Sequence, residues 1–345
     1  MSGRRVVLAA GTVGGAGTTV ALRAALAHLD AAEAELVAVV PNGFDTGPGR
    51  RPTGRTPALL AEALGRPDGD VYVGFADRLP LVRRAAPIQV LVVQNPHLYG
   101  PAPADWGVAL RAKRAFLRWW ARRSVGRADL IVCSTAASRV DLLAATSADA
   151  ARVVVRPVPP PDVGAPKAVH RDRVERVLVV GDVYGYKRTE VAVDAVAAFA
   201  RSVGRPVELV HLGKVREPEA GAALDAAADR AAAAGVAVVR RGAVPHEEVL
   251  DAMRRADVLL LCSEAETQGL PLAEAMAMGL PVVCRALDVF AEQASAAAQL
   301  VERHGDAAAF AAALAAVDAV AVRTAMADRG RRAIGEPGAG WNLLP

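Results

Sequence analysis

Short runs of Val, Leu and Ile recur along the chain, and most are followed by an Ala-rich stretch with helical spacing. The runs Arg5–Ala9, Ala34–Val40, Val71–Val73, Ile88–Val93, Leu130–Cys133 and Val153–Val155 fill the first half. Val174–Val180, Val207–Leu212, Val236–Arg240, Val258–Cys262 and Pro281–Cys284 fill the second. These runs are apolar at successive rather than alternate positions, which suits strands buried on both faces. Helical patterns such as Leu22–Leu29, Val191–Ala200, Ala220–Ala234 and Ala307–Val320 lie between them. Strand–helix alternation with right-handed crossovers gives doubly wound parallel sheets of the α/β class.

The alternation is interrupted once. Residues 156–166 carry Pro157, Pro159, Pro160, Pro161 and Pro166, which belong neither in a helix interior nor in a central strand. The pattern restarts at Val174. A chain of 345 residues has room for two domains, each able to bury its own core. The expected division is 1–160 and 161–330, two Rossmann-like domains facing a cleft, with ligands at the carboxyl ends of the strands.

Composition excludes several classes. With 53% hydrophobic and 23% charged residues the chain is globular rather than disordered. A net charge of +4 is too small for a protein that coats nucleic acid, and no nucleic-acid partner is expected. Cys133, Cys262 and Cys284 each end an apolar run, so they read as buried thiols, without metal-ligand spacing. No apolar window is long enough for a membrane span. Arg4-Arg5 and the apolar run behind them imitate a signal peptide, but the glycines from Gly11 onward fit a first strand and turn better, so a cytoplasmic enzyme is expected. The many Ala and Arg point to a GC-rich bacterial source; the four Lys stand out against them.

Three loops carry candidate chemistry. Gly11 to Thr19, with Gly14, Gly15 and Gly17, follows a strand and opens a helix, where backbone N–H groups can receive a phosphate. It lacks the Lys of a nucleotide-hydrolysing P-loop and the glycine spacing of a dinucleotide fold, leaving a diphosphate-facing loop or a plain tight turn. The second loop, Gly181 to Arg188, presents Lys187 and Arg188 at a strand end, suited to a diphosphate or simply solvated. The third runs from Glu266 through Gly269-Leu270-Pro271 to Glu274 and Pro281. Glu266 falls in the loop, and Glu274 in the first turns of a helix, beside orphan N–H groups. Carboxylates so placed accept bonds from sugar or ribose hydroxyls; for Glu274 alone, complementing the helix dipole is the simpler role.

Glu266 and Glu274 with seven residues between them, Gly269-Leu270-Pro271, Glu274-Ala275-Met276-Ala277 and Gly279-x-Pro281-Val282-Val283 together resemble the signature of retaining glycosyltransferases of family 4. The resemblance covers nearly the whole second half, including Gly181, Lys187 and Arg241-Gly242-Ala243-Val244, and is looser in the first half at Gln94-Asn95-Pro96 and Ala128–Ser134. It implies the GT-B architecture, with an N-terminal acceptor domain completed by the C-terminal segment 331–345 and a C-terminal nucleotide-sugar donor domain. It implies transfer of a hexose from a nucleotide-diphosphate sugar to an acceptor hydroxyl (a glycan, lipid-linked or small molecule), as in polysaccharide biosynthesis. No cofactor and no metal are expected. Glu266 would face the donor sugar, Glu274 the ribose and Lys187 the diphosphate. Arg188, Gly14, Gly15, Gly181, Val244, Gly269, Leu270 and Pro271 would line the donor. Many members of the family place an Arg where this chain has Asp182; Arg188 is the candidate replacement. Two rivals remain: a nucleotide-sugar epimerase of similar fold, and a non-catalytic binding protein on a decayed scaffold.

Two features of the first half stay open. Asn95 and His97, just beyond a strand, are candidates for the acceptor, or for a hydrogen-bonded buried loop. Along 106–123, Arg111, Arg114, Arg118 and Arg122 share one helical sector, opposite Trp106, Phe116, Leu117 and Trp120. This reads as an ordinary surface helix, or as a peripheral contact with anionic lipid at the inner face of the membrane.

Overall fold

The structure is a computed structural model, described here for residues 4–10, 16–31, 35–40, 69–75, 77–82, 85–99, 108–159, 162–167, 171–334 and 341–345. The chain divides into two compact units, Met1–Pro159 with Gly338–Pro345, and Pro160–Pro337.

The first unit holds six strands, β1 (Arg5–Ala9), β2 (Glu35–Val39), β3 (Val71–Gly74), β4 (Ile88–Val92), β5 (Leu130–Cys133) and β6 (Val153–Val155). They pair in parallel in the order β2-β1-β3-β4-β5-β6. The register sets Val7 beside both Val37 and Tyr72, so the apolar runs stack across the sheet. The core beneath gathers Val7, Tyr72, Leu91, Ile131 and Leu142. The C-terminal residues return to this unit. Trp341 is buried, its indole N–H donates to the Arg156 carbonyl at 2.8 Å, and its ring meets Phe75 edge-on at 5.8 Å. Arg156 in turn donates to the Leu344 carbonyl at 2.7 Å.

The second unit holds β7 (Arg176–Val180), β8 (Glu208–Leu212), β9 (Ala237–Arg240), β10 (Val258–Leu261), β11 (Val282–Arg285) and β12 (Ala298–Val301), all parallel, in the order β12-β11-β10-β7-β8-β9. The chain starts at β7, builds outward through β8 and β9, then returns to β10 on the other side. Between β7 and β10 the direction of winding reverses. In a doubly wound sheet such a reversal, at the carboxyl ends of the strands, is where ligands bind. Helices Thr189–Val203, Pro218–Ala233 and Ala307–Ala316 press Val193, Val196, Phe199, Leu224 and Phe310 into one core with β7 and β8.

Two expectations are corrected. The strand β12 was not anticipated: it is an edge strand paired only with β11, and three of its four residues are half-buried, so it lacks a conspicuous apolar run. The helical stretch 307–320 is two helices. Ala307–Ala316 ends at Val317, and Val320–Ala333 leaves at 94°. The buried Arg323 guanidinium donates to the Val317 carbonyl at 2.9 Å and to that of Asp318, satisfying carbonyls freed at the break. No single described helix is long and apolar enough to cross a membrane; that bent pair sends Phe310, Leu314 and Met326 into the core.

Candidate donor site at the carboxyl ends of the second sheet

The loop after β7 is fixed by its neighbour. Gly181 donates to the Leu212 carbonyl at 2.9 Å and Val183 to that of Lys214 at 2.8 Å. Gly213 is where this crossing demands glycine: its φ is +156°, and a Cβ there would lie 1.9 Å from the Gly181 oxygen. His211 closes the crossing with Nε2 3.0 Å from the same oxygen, and burial holds its pKa below the ordinary value. The ring is therefore neutral, and its Nε2–H tautomer can donate there.

Asp182 turns toward β8. Its carboxylate accepts the Lys214 N–H at 2.9 Å and the Arg216 Nε–H at 2.7 Å. The Gly185 N–H is taken by Glu217 at 2.8 Å. The loop then turns once through Gly185–Lys187 and passes Arg188 in the left-handed conformation, φ 51°, into helix Thr189–Val203.

Lys187 Nζ and Glu266 Oε1 form an ion pair that joins the loop after β7 to the loop after β10. Both loops leave strands that flank the reversal of winding. The backbones are also tied, Glu264 N–H to Tyr186 carbonyl, 2.8 Å. Burial alone would depress the Lys187 ammonium; the Glu266 carboxylate outweighs it and raises the pKa above the ordinary value. The ammonium also stands 5.4 Å from the centre of the Tyr186 ring, which stacks on Tyr184 at 5.5 Å. Arg188 is held by Glu190 at 2.9 Å and by Glu264 at 3.7 Å.

Gly269 opens helix Leu270–Met278 at φ +71°, with Pro271 in its first turn, and a Cβ at Gly269 would sit 2.3 Å from the Phe290 ring. Glu274, on this helix, is 3% exposed, and burial pushes its carboxyl up to about 8. The Nε2 of His246 lies 3.6 Å from its Oε1, an ion pair only where His246 is protonated and Glu274 is not. Val244 is half-buried in the loop before helix His246–Arg255, and Gly242 in that loop accepts the Gly213 N–H at 2.8 Å. Lys187, Glu266, Arg188, Gly181, Gly269, Leu270, Pro271, Glu274 and Val244 thus all follow carboxyl ends of strands in the second sheet. Gly14 and Gly15 lie outside the described residues. All three cysteines are free and buried, and burial pushes Cys133 and Cys284 up to about 12. Among the described residues no group of three or more His, Cys, Asp or Glu could hold a metal ion.

In the first unit, Asn95 and His97 belong to a chain of backbone-to-side-chain bonds that starts at Asp77. Asp77, buried and at φ +60°, accepts the Gln94 N–H at 2.9 Å and the Asn95 N–H at 3.1 Å. The Asn95 side chain accepts the His97 N–H at 3.1 Å. Burial raises Asp77 to about 7. Arg114 donates to the His97 carbonyl at 2.8 Å. Helix Val108–Val125 also departs from the expected faces. Trp120 is buried, but Phe116 is 46% exposed and stacks at 5.9 Å on Trp119, itself 53% exposed. Trp106 lies outside the described residues.

Sequence reasoning missed Asp77, His246 and the Tyr184–Tyr186 pair. Asp77 stands shortly after a strand end, the signal that drew attention to Lys187, and His246 sits in the stretch that follows Val244.

Residues 174–317 match the sequence model of a family described as Glycosyl transferases group 1. No curated protein matches the chain. Among solved structures the fold is similar to HepE of Anabaena, solved in complex with UDP-glucose, with TM-score 0.71 and 15% identity over 95% of this chain and 94% of that one. It is similar to WaaG, a glycosyltransferase involved in lipopolysaccharide biosynthesis, with TM-score 0.70 and 16% identity over 95% and 94%. S. aureus TarM, solved with UDP, gives TM-score 0.59 and 13% identity over 76% of this chain. The chain spans about half the length of TarM, 51%. The two six-stranded parallel sheets flanked by helices are the GT-B type of fold.

Proposed function

We propose that the chain is a group 1 glycosyltransferase that moves a hexose from a nucleotide-diphosphate sugar to an acceptor hydroxyl, keeping the anomeric configuration. The observation that carries the reading is the Lys187–Glu266 pair, a cation and a carboxylate from the two strand ends that flank the reversal of winding in the matched domain. A nucleoside diphosphate leaves with growing negative charge. Lys187 meets that charge, and Arg188 and the first N–H groups of helix Leu270–Met278 add to it. Once a diphosphate draws Lys187 away, Glu266 is released to hold sugar hydroxyls near an oxocarbenium-like transition state. Glu274 takes the ribose hydroxyls. Asp182 does not oppose the phosphates, because its carboxylate is bound to Lys214 and Arg216. The scheme needs no metal ion. The nucleotide ligands of HepE and TarM support the donor class.

For the acceptor, the reading assigns Asn95 and His97 of the first unit. The exposed Phe116 and Trp119, among Arg111, Arg118 and Arg122, favour an acceptor reached at a membrane surface. A thermal-shift screen of nucleoside diphosphates and their sugars tests the donor site. At about 100 times its dissociation constant a bound ligand adds about 2.7 kcal/mol. No shift with any of them would remove the reading.

A further inference from the structure

We infer that His246 is a positioning residue that takes up the proton of the Glu274 carboxyl when a nucleoside diphosphate seats its ribose hydroxyls on that group. The inference rests on the donor reading above. Glu274 lies in a helix with no other charged side chain, and is all but fully buried. An ionised carboxylate accepts from both ribose hydroxyls; a protonated one spends an oxygen as donor. Burial raises the Glu274 carboxyl to about 8, so accepting from both hydroxyls, one on each oxygen, calls for the loss of its proton.

His246 opens the helix beside it, with Nε2 3.6 Å from Glu274 Oε1, within ion-pair range. The O–H bond at Glu274 breaks and an N–H bond forms at His246 Nε2. The pair keeps its net charge, and no proton reaches solvent. Two groups this close titrate as a unit. The charges around them are engaged or turned to water. Glu247 and Glu248 are exposed, Glu248 3.9 Å from Arg241. Glu266 is held by Lys187 and Glu264 by Arg188. On the helices packed against Leu270–Met278, Arg331 is bound to Asp328, Asp288 faces Arg303, and Glu292 is exposed.

The test is calorimetry with whichever of UDP, GDP, ADP and CDP binds tightest, in two buffers of different ionisation enthalpy, between about pH 6.5 and about pH 8. In the unaltered protein, binding at pH 7 releases close to no protons, and affinity varies by less than about threefold across the range. In His246→Gln, binding releases about one proton at pH 7, and affinity rises about tenfold per pH unit toward about pH 8. With the protein unaltered, 15N-histidine spectra show His246 Nε2 gaining a proton as the nucleotide saturates it. Equal proton release and equal pH profiles in the two proteins, or an Nε2 that stays unprotonated, would overturn the proposal while leaving the donor site intact. Glu274→Gln separates the two readings: it binds weakly at every pH if Glu274 holds ribose, and undiminished binding overturns both.

Discussion

Lys187 and Glu266, 79 residues apart in sequence, form an ion pair that joins the loops leaving two adjacent parallel strands. Each is largely shielded from water, with side chains 22% and 16% exposed. On the proposed donor reading, a diphosphate would replace Glu266 beside Lys187, and sugar hydroxyls would replace Lys187 beside Glu266. Donor binding is then an exchange of partners, in which the ammonium moves to phosphate and the carboxylate to hydroxyls. The coupling between the two residues should therefore differ between free and nucleotide-bound protein.

Glu266→Gln should mainly lower turnover, and Glu274→Gln mainly weaken nucleotide binding. Glu274 would grip ribose in ground and transition states alike, while Glu266 acts near the reacting carbon. Dissociation constants and single-turnover rates for both variants check this division. The same pair of defects in both variants would contradict it.

Glu274→Gln should also change how stability responds to pH. The Glu274 carboxyl is raised from its ordinary 4.5 to about 8 by burial. The folded chain thus keeps a proton that the unfolded chain has released. That contribution is full below pH 4.5 and is lost as pH rises through about 8, with a slope of at most about 1.4 kcal/mol per unit. The variant lacks this term, so its melting temperature relative to the unaltered protein should climb as pH rises toward about 8. Parallel curves over that window would mean the carboxylate is not a buried liability.

Gly213→Ala should destabilise the second unit by roughly 3 kcal/mol or more, because the new Cβ meets backbone rather than a mobile side chain. The clash falls on Gly181, at the root of the loop that carries Lys187. Nucleotide affinity should drop at temperatures where the variant is still folded. Chemical denaturation and binding at low temperature test the two effects separately. A variant as stable as the parent would show that the two strand ends are not locked together.

How much of this the sequence disclosed depends on the range of the contacts. Lys187 was legible because Lys is rare and because it follows an apolar run and a glycine. Glu266 and Glu274 were legible through their spacing and the Gly-Leu-Pro turn between them. Their partners were not. Whether Lys187 faces Glu266 or solvent, and whether His246 or a neighbour reaches Glu274, depends on strand order, and strand order is a long-range property. β12 escaped because an edge strand needs no unbroken apolar run. Asp77 escaped because its role comes from a backbone twist at φ +60° that no composition rule marks. On helix Val108–Val125, spacing alone set Phe116 on one face with Trp120; burial instead takes Trp120, Ala121 and Val125 and leaves Phe116 outside with Trp119.

That exposed aromatic pair sharpens the membrane prediction. Binding to anionic vesicles should require both Phe116 with Trp119 and the basic residues Arg111, Arg118 and Arg122. Reversing two of the charges should weaken binding by more than about tenfold, at about 1 kcal/mol per basic residue near such a surface. Salt should weaken it as well, since screening shortens the reach of charge to about 8 Å at physiological ionic strength. Co-sedimentation with anionic and neutral vesicles measures it; equal, salt-insensitive recovery in both supernatants would leave an ordinary surface helix.

The central claim is tested most directly by the release of nucleoside diphosphate from a panel of nucleotide sugars, compared between the unaltered protein and Lys187→Ala. The account predicts slow hydrolysis of at least one sugar donor by the unaltered protein. It predicts a loss of about 100-fold in the variant, roughly 3 kcal/mol of transition-state stabilisation, with the variant still folded. Variant activity within about threefold of the parent, or conversion of the sugar to its epimer without release of diphosphate, would contradict it.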